Sequence, residues 1–422
     1  MAGHVDTIVF GAGPAGLAAT LLLMHEGRRV ALVELGSAVT HRGRHVPADL
    51  VTGVGGAGLY SDGKFSFYPS ASALWQLEDR VALRDAYRWF SDVLTDFTPV
   101  PPFPSEAELA SPPSYDPEMG KSYESRYIDF DARVELIKRL SRAVKGALTT
   151  HAAVVQVTHD DGVLTAVYEQ GSKLRSLSAR AGVIACGRFG GLMLGTVAPW
   201  MPTTFRRFEV GVRLEASSGV FFLQGHPDLD PKFILRSASD VEWRTFCTCR
   251  NGEVVETEFD GLVTYSGRSD VGRTRFSNVG FNVRVLREPE PGSELQQELQ
   301  GVMKGAVAPF TMGIEHFMSS RLPIYGRVLD GLLRQGLTHL LGGNAHDLVV
   351  TGPCIEGTGR YPEIDGNLRV QDAPLWVAGD EAGIFRGLTA AFLSGHYAAR
   401  QVQKYLASIE EAGDERGAAL TG

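Results

Sequence analysis

The stretch DTIVFGAGPAGLAATLLLMHEGRRVALVEL, residues 6 to 35, limits the fold more than any other part of this 422-residue chain. It reads as an apolar strand, a glycine turn, a helix and a second strand that ends in an acid, which is a complete βαβ unit. Gly11 permits the tight turn, Gly13 lets backbone approach a pyrophosphate, and Gly16 lets the helix pack closely on the strand. The helix N-terminus then faces an anion. Glu34, 18 residues after Gly16, stands where an acid takes ribose hydroxyls and repels a 2'-phosphate, with Ala15 and Leu35 beside these contacts. Glycines that only shape a βαβ turn are the alternative, disfavoured by the joint presence of strand, helix and terminal acid.

A second G-x-G-x-x-G occurs in TGVGGAGLYSDGKFSF, at Gly53, Gly55 and Gly58. No Val/Ile strand precedes it, and the aromatic, turn-rich LYSDGKFSFYP after it cannot make a crossover helix, so it is not a second nucleotide fold. Its glycine density suits a loop whose backbone lies flat against a planar ligand.

The rest of the chain excludes several classes. A formal charge of -8 offers no field for nucleic acid or anionic lipid. No stretch approaches the roughly 20 apolar residues of a membrane span, and the start MAGHVDTIVF has no basic leader pattern. Four cysteines (Cys186, Cys247, Cys249, Cys354) make no disulfide framework. The expectation is a cytoplasmic protein acting on a small molecule, with no nucleic-acid or membrane partner; oligomeric state is not readable. The one H-x-x-x-H, His41 and His45 in HRGRH, is filled with arginines that repel a cation, so no metal site is expected. That basic loop instead faces an anion, with Arg42 placed to reach the dinucleotide beyond Glu34.

Near the other end, APLWVAGDEAGIFRGLTAAFLSGHYAARQV gives a buried strand, an acid at its tip, a glycine turn and a small-residue helix. This pattern resembles the C-terminal flavin motif of two-dinucleotide-fold, glutathione-reductase-type flavoproteins. The resemblance implies that Asp380, following Gly379, binds the ribitol chain and that Gly387 and Leu388 face the pyrimidine edge of an isoalloxazine. A helix N-terminus there would stabilise the charge that develops on flavin reduction. SLSARAGVIACGRFGG is similar to the strand that returns to the nucleotide sheet, closing on Cys186 and Gly187. The words GGAGLYSDGKFS, FEVGVRLE, FCTCRNGEVV, RFSNVGFNVRV and GDEAGIFRGL together resemble one family, the uncharacterised FAD-dependent dehydrogenases with a G-G-A-G-x-x-S-D-G-K loop. The resemblance covers most of the chain and is poor between about residues 71 and 125. It implies FAD as cofactor, Gly55, Gly56, Ala57 and Gly58 as flavin contacts, Ser61, Asp62 and Lys64 near the reacting face, and Val154 and Val155 near the adenine. The chain departs from the family in lacking cysteines upstream of the loop.

The expected fold class is α/β: a Rossmann-like FAD/NAD(P)-binding domain with a second, mainly antiparallel β substrate domain. Residues 1–70, 121–204 and 349–422 form the first domain, 71–120 a Pro-rich loop or lid region, and 205–348 the substrate domain, where alternation predicts an antiparallel sheet. A helix carrying Val134, Ile137, Leu140 and Val144 precedes a strand through Val157, Asp161-Gly162 and Gln170-Gly171 make hairpin turns, and the tail after Glu410 is expected to fray.

Lys64, Asp62 and Tyr325 are the acid/base candidates, because flavin dehydrogenation needs a proton acceptor beside the hydride acceptor. Arg126, Arg213, Arg321 and Arg386 could each clamp a substrate carboxylate or serve as ion-pair partners. Cys247 and Cys249 leave two readings open, a redox pair or two small residues packed under the sheet. A regular strand holds C-x-C near the upper limit for a disulfide, which favours packing. The function expected is an FAD-dependent oxidoreductase that oxidises or desaturates a small organic molecule by hydride transfer. The alternatives are an NAD(P)H-fed reductase or monooxygenase, and a non-catalytic flavin-binding redox sensor.

Overall fold

The computed structural model describes residues 3–112, 123–236, 240–269, 272–342 and 347–421. The first βαβ unit folds as its sequence dictates: strand Gly3–Phe10, helix Pro14–His25 and strand Val30–Val33, the two strands paired in parallel. Gly3–Phe10 also runs parallel to the long strand Lys173–Ile184. On its other edge that strand serves two further partners: its first half closes the antiparallel hairpin Ala152–Asp160 and Val163–Gln170, and its last residues pair in parallel with Leu375–Val377. With Leu148–Thr149 at one edge this makes a seven-stranded sheet. The hairpin turns at Asp161-Gly162 and Gln170-Gly171 fall where the sequence puts them.

The fingerprint helix is apolar all round, so it is buried on every side rather than amphipathic. It packs on the C-terminal helix Leu388–Thr421 through a backbone approach that excludes a side chain, since a Cβ on Gly395 would stand 2.0 Å from the Ala15 oxygen; within the unit itself, a Cβ on Gly16 would stand 1.8 Å from the Gly11 oxygen. The C-terminal helix runs on to Thr421 rather than fraying after Glu410, which is tied to Arg28 and Arg180 at 2.7 Å each.

The second sheet is antiparallel and six-stranded, in the order Ile234–Arg236, Val241–Cys249, Phe276–Val285, Thr203–Ser217, Val349–Pro362 and Phe310–Gly313. Its period-two pattern splits the two faces. Phe208, Val210, Val212, Leu214, Val279, Phe281 and Val283 join Leu329, Leu333 and Leu337 of the helix Arg327–Leu341 in one core cluster. The intervening residues, Arg207, Glu209, Arg213, Asn278, Asn282 and Arg284, make a polar opposite face.

Two boundaries differ from the sequence reading. Residues 349–362 are a central strand of the second sheet, pairing with Thr203–Ser217, so the chain rejoins the first sheet at Leu375 and not at 349. Residues 71–120 are not all loop: helix Arg80–Leu94 buries Leu83, Phe90 and Leu94 and packs beside the C-terminal helix. The Pro-rich part has one short capped helix, Glu106–Ala110, and its remainder, residues 113–120, lies outside the described residues. Among the described residues no helix is long and apolar enough to cross a membrane.

Candidate functional site

A cavity of about 720 Å³ opens at the C-terminal ends of the parallel strands and runs to the polar face of the second sheet. This is where α/β sheets place ligands. At its near end Gly11 turns with φ +92°, and a Cβ there would stand 2.5 Å from the Ala185 oxygen, so only glycine fits. Gly13 caps the fingerprint helix in an extended conformation and no side chain caps its amides, which leaves the first-turn N–H groups for a ligand. A Cβ on Gly13 would meet only Gly56 Cα, at 3.8 Å, so the space before the turn is open.

The Glu34 carboxylate knits this turn to the second glycine loop. It accepts from the backbone N–H of Ala12 at 2.6 Å, Gly36 at 2.9 Å and Gly53 at 2.9 Å. A carboxylate accepts about four hydrogen bonds, so capacity for a ribose hydroxyl remains. Arg42 does a different job from the one its sequence position suggests. Its buried guanidinium donates to the carbonyls of Asp49 and Val54 at 2.9 Å and Gly56 at 2.9 Å, bracing the loop from behind. Arg42 does not line the cavity; Gly53, Gly56, Ala57 and Gly58 do. Gly55 turns the other way, against Ile137 of helix Phe130–Ala143.

Of the remaining expected contacts, Ala15, Leu35, Val154, Cys186, Gly187, Gly379, Asp380, Gly387 and Leu388 line the cavity. Gly16 lies beneath the turn as a packing contact, and Val155 points outward, 42% exposed. The Asp380 carboxylate accepts no hydrogen bond among the described residues. Burial first, then Glu381 and Glu34, push the Cys186 thiol well above its ordinary value, which disfavours its thiolate although the residue is exposed.

The far end is a charged chamber. Asp230 binds Lys64 Nζ at 2.9 Å and Lys232 Nζ at 3.1 Å. Against the upward push of burial, Lys232 and then Lys64 hold Asp230 well below the carboxylate range. Asp230 in turn raises Lys64 and Lys232 against burial, so both are cations at neutral pH. Asp62, beside them, is raised by burial and then by Asp230, and accepts from the Lys64 backbone N–H at 3.2 Å. Tyr325 is not part of this chamber. Its hydroxyl donates to the Gly211 oxygen at 2.6 Å inside the helix-side core.

On the sheet wall, fully buried Glu209 meets Arg284 at 2.6 Å, Arg207 at 3.0 Å and Arg386 at 3.1 Å, while Glu356 meets Arg188 at 2.5 Å and Arg386 at 2.9 Å. Among the arginines singled out from sequence, Arg386 thus lines the cavity but is ion-paired to two glutamates. Arg213 is sealed at 0% exposure, bonded to the Cys247 oxygen at 2.9 Å and to Asn278. Arg126 pairs with Glu124, and Arg321 is exposed. Sequence reasoning missed Arg244, Lys232, Asp230 and Tyr123, which line the chamber and carry no motif.

The C-x-C strand is not regular. Cys247 has φ +48° and the register slips between Phe246 and Cys249, a bulge that sets the two sulfurs 3.9 Å apart. Cys247 lines the cavity and Cys249 is fully buried.

No protein-family model matches the chain, and no curated protein does. Among solved structures it is similar to RebC-10x (12% identity, TM-score 0.38, covering 90% of this chain and 58% of that one). It is also similar to a flavoprotein/dehydrogenase from Cytophaga hutchinsonii (14%, TM-score 0.38, 96% and 79%). A third is the OxyS anhydrotetracycline hydroxylase from Streptomyces rimosus (14%, TM-score 0.41, 96% and 63%). The chain thus spans less than two thirds of the first and third of these proteins. Likenesses so distant leave the site to be read from its own residues.

Proposed function

We propose that this chain is an FAD-dependent oxidoreductase that oxidises or desaturates a small organic molecule by hydride transfer. What carries the reading is one continuous cavity that joins an uncapped helix N-terminus and a glycine cradle to a chamber holding a half-buried, raised carboxyl. The fit to FAD rests on local features. The space before Gly13 is open, the Asp380 carboxylate is free to accept from a ribitol hydroxyl, and nothing lies within 4 Å of where a Cβ on Gly387 (φ +104°) would stand. About 720 Å³ also lies within the range of small-molecule sites. Bound FAD supplies the hydride acceptor.

The protein's own part is positioning and proton transfer. Gly11, Gly13 and the first-turn amides hold the pyrophosphate, Glu34 the adenosine ribose, Asp380 the ribitol, and the backbone of Gly56 to Gly58 lies against the ring system. Asp62 is the proton acceptor: burial raises its basicity, and the Lys64 backbone N–H fixes its orientation. Lys64 and Lys232, kept protonated by Asp230, are positioning cations rather than bases. The complete βαβ fingerprint at Gly11 is taken by FAD in this reading, which favours an organic reductant over NADH or NADPH.

The test is the visible spectrum of the purified protein under anaerobic conditions. The protein should be yellow, should stay yellow with NADH and NADPH, and should bleach with its substrate. Asp62→Asn should keep its FAD but slow that bleaching by about 10²- to 10⁴-fold. Rapid bleaching by either nicotinamide overturns the direction of electron flow and makes the protein a reductase or monooxygenase. A colourless protein overturns the flavin assignment.

A further inference from the structure

We propose that Arg244 is the anchor for a carboxylate on the substrate, so that the molecule oxidised in this cavity is a small organic acid. This rests on the oxidoreductase reading above and adds the substrate class to it.

The argument starts from strand register. On the polar face of the second sheet, residues of neighbouring strands form rows. Glu242, Arg284 and Glu209 are in register and bond one another, at 2.6 Å for Arg284 to Glu209 and 3.1 Å for Arg284 to Glu242. The next row is Arg244, Asn282 and Gly211. It offers Arg244 an amide and a glycine, no carboxylate, and on its other side the neighbour is Ile234. The row beyond is Phe246 over Gly280, where a Cβ would stand 2.3 Å from the Phe246 ring. Arg244 therefore meets no acid in its own row; Glu209 of the neighbouring row acts on it only through space and bonds other arginines.

Its surroundings agree. Arg244 makes no hydrogen bond or ion pair among the described residues, and its Nε is shut away without a partner. It lines the cavity. Burial, and then Arg284, push its guanidinium down to about 10, which leaves it charged at neutral pH. The whole wall has cations to spare: Arg188, Arg207, Arg244, Arg284 and Arg386 face three glutamates, and Glu209 and Glu356 already satisfy the other four. A half-buried charge with no hydrogen-bonded counter-ion is costly unless the ligand brings one. A planar guanidinium with both terminal nitrogens free matches a carboxylate fork. The pyrophosphate of a dinucleotide already has its place at the helix N-terminus by Gly13, at the other end of the cavity.

The experiment uses the full chain with the flavin it carries on purification. Acetate, pyruvate and benzoate are titrated beside their neutral amides, reading the flavin visible band and the thermal midpoint together. At least one acid should perturb the band and raise the midpoint while its amide does neither. Arg244→Met should weaken that acid about 10- to 100-fold with bound FAD unchanged, and Arg244→Lys should recover part of the loss. The Lys variant carries the comparison if the Met variant does not fold. The proposal is overturned if no acid acts on the flavin-loaded protein, if acid and amide act equally, if Arg244→Met binds the acid as the wild type does, or if it loses FAD. A colourless wild type would instead defeat the flavin reading, and the thermal midpoint would still report whether acids bind through Arg244.

Discussion

Glu381 offers a sharp test of how the region under the cavity is held. It sits in the turn Gly379–Ala382 at 1% exposure, and neither carboxyl oxygen has a partner among the described residues. The room for it comes from Gly190, where a Cβ would stand 1.7 Å from Oε2. Burial first, and Asp380 second, push its carboxyl from an ordinary 4.5 to about 8. A folded-state value above the unfolded one means that its stabilisation is fully present below about pH 4.5 and is lost as pH rises through about 8. That gap, at about 1.4 kcal/mol per pH unit, is worth about 5 kcal/mol. Among the buried groups that slope the opposite way, His396 begins from the highest ordinary value. Burial, and then Arg400, lower His396 from 6.5 to about 3, so its stabilisation is lost as pH falls below 6.5 and is constant above. The window from pH 6.5 to 8 therefore isolates Glu381 from His396, and there it should cost the wild type about 2 kcal/mol. Equilibrium urea unfolding of wild type and Glu381→Gln at both ends of the window measures this, since Gln keeps the shape and cannot ionise. Parallel pH dependence in the two proteins would refute the reasoning and mean that Glu381 is solvated or paired.

Two further outcomes follow from the same geometry. Gly13→Ala should fold with a thermal midpoint near wild type, because the new Cβ meets only Gly56 Cα at 3.8 Å, yet it fills the cradle and should lower the flavin-to-protein ratio; Gly16→Ala drives a Cβ to 1.8 Å from the Gly11 oxygen and should cost about 1–3 kcal/mol of stability. Of Cys247, Cys249 and Cys354, Cys247 should react first with a small maleimide in flavin-free protein, by peptide mapping, because it lines the cavity while burial raises Cys354 to about 12 and Cys249 is raised by its hydrogen bond with Cys247 and by burial. Equal labelling of Cys249 would show that the bulge opens to solvent.

The parts legible in the sequence are those whose geometry is local. Gly11, Gly13 and Gly16 are fixed by backbone approaches within one βαβ unit, and the helix carrying Ile137 and Leu140 by its own period. The second glycine loop was recognisable as a loop, yet the division of labour within it was not. Gly55 packs on Ile137 and Arg42 holds carbonyls because of a helix more than 70 residues downstream and a turn that no periodicity describes. Tyr325 failed as an acid/base candidate for the same reason. Its loop could be placed only once Val349–Pro362 was known to be a central strand of the second sheet, which draws Tyr325 to Gly211 in the helix-side core.

The arginines show where sequence patterning stops. Alternation put Arg213 on the polar face with Gly211, and that is its face. Whether it can meet a ligand depends on what covers it, and the cover comes from three other strands. Phe246 lies 5.8 Å from its guanidinium, Asn278 and the Cys247 carbonyl bind it, and Gly267 leaves it just enough room. Arg244 lies one row along, opposite Asn282 instead of an acid, and stays open. The difference between a sealed cation and a binding one is a cross-strand register between residues 38 and 67 positions apart, Arg244 with Asn282 and Arg213 with Gly280. A single-residue slip would place Arg244 on the helix side, among Leu333 and Leu337, and Trp243 in the cavity. Trp243 in fact donates to the Leu332 oxygen at 2.8 Å on the helix side, and that bond pins the register that leaves Arg244 facing the cavity.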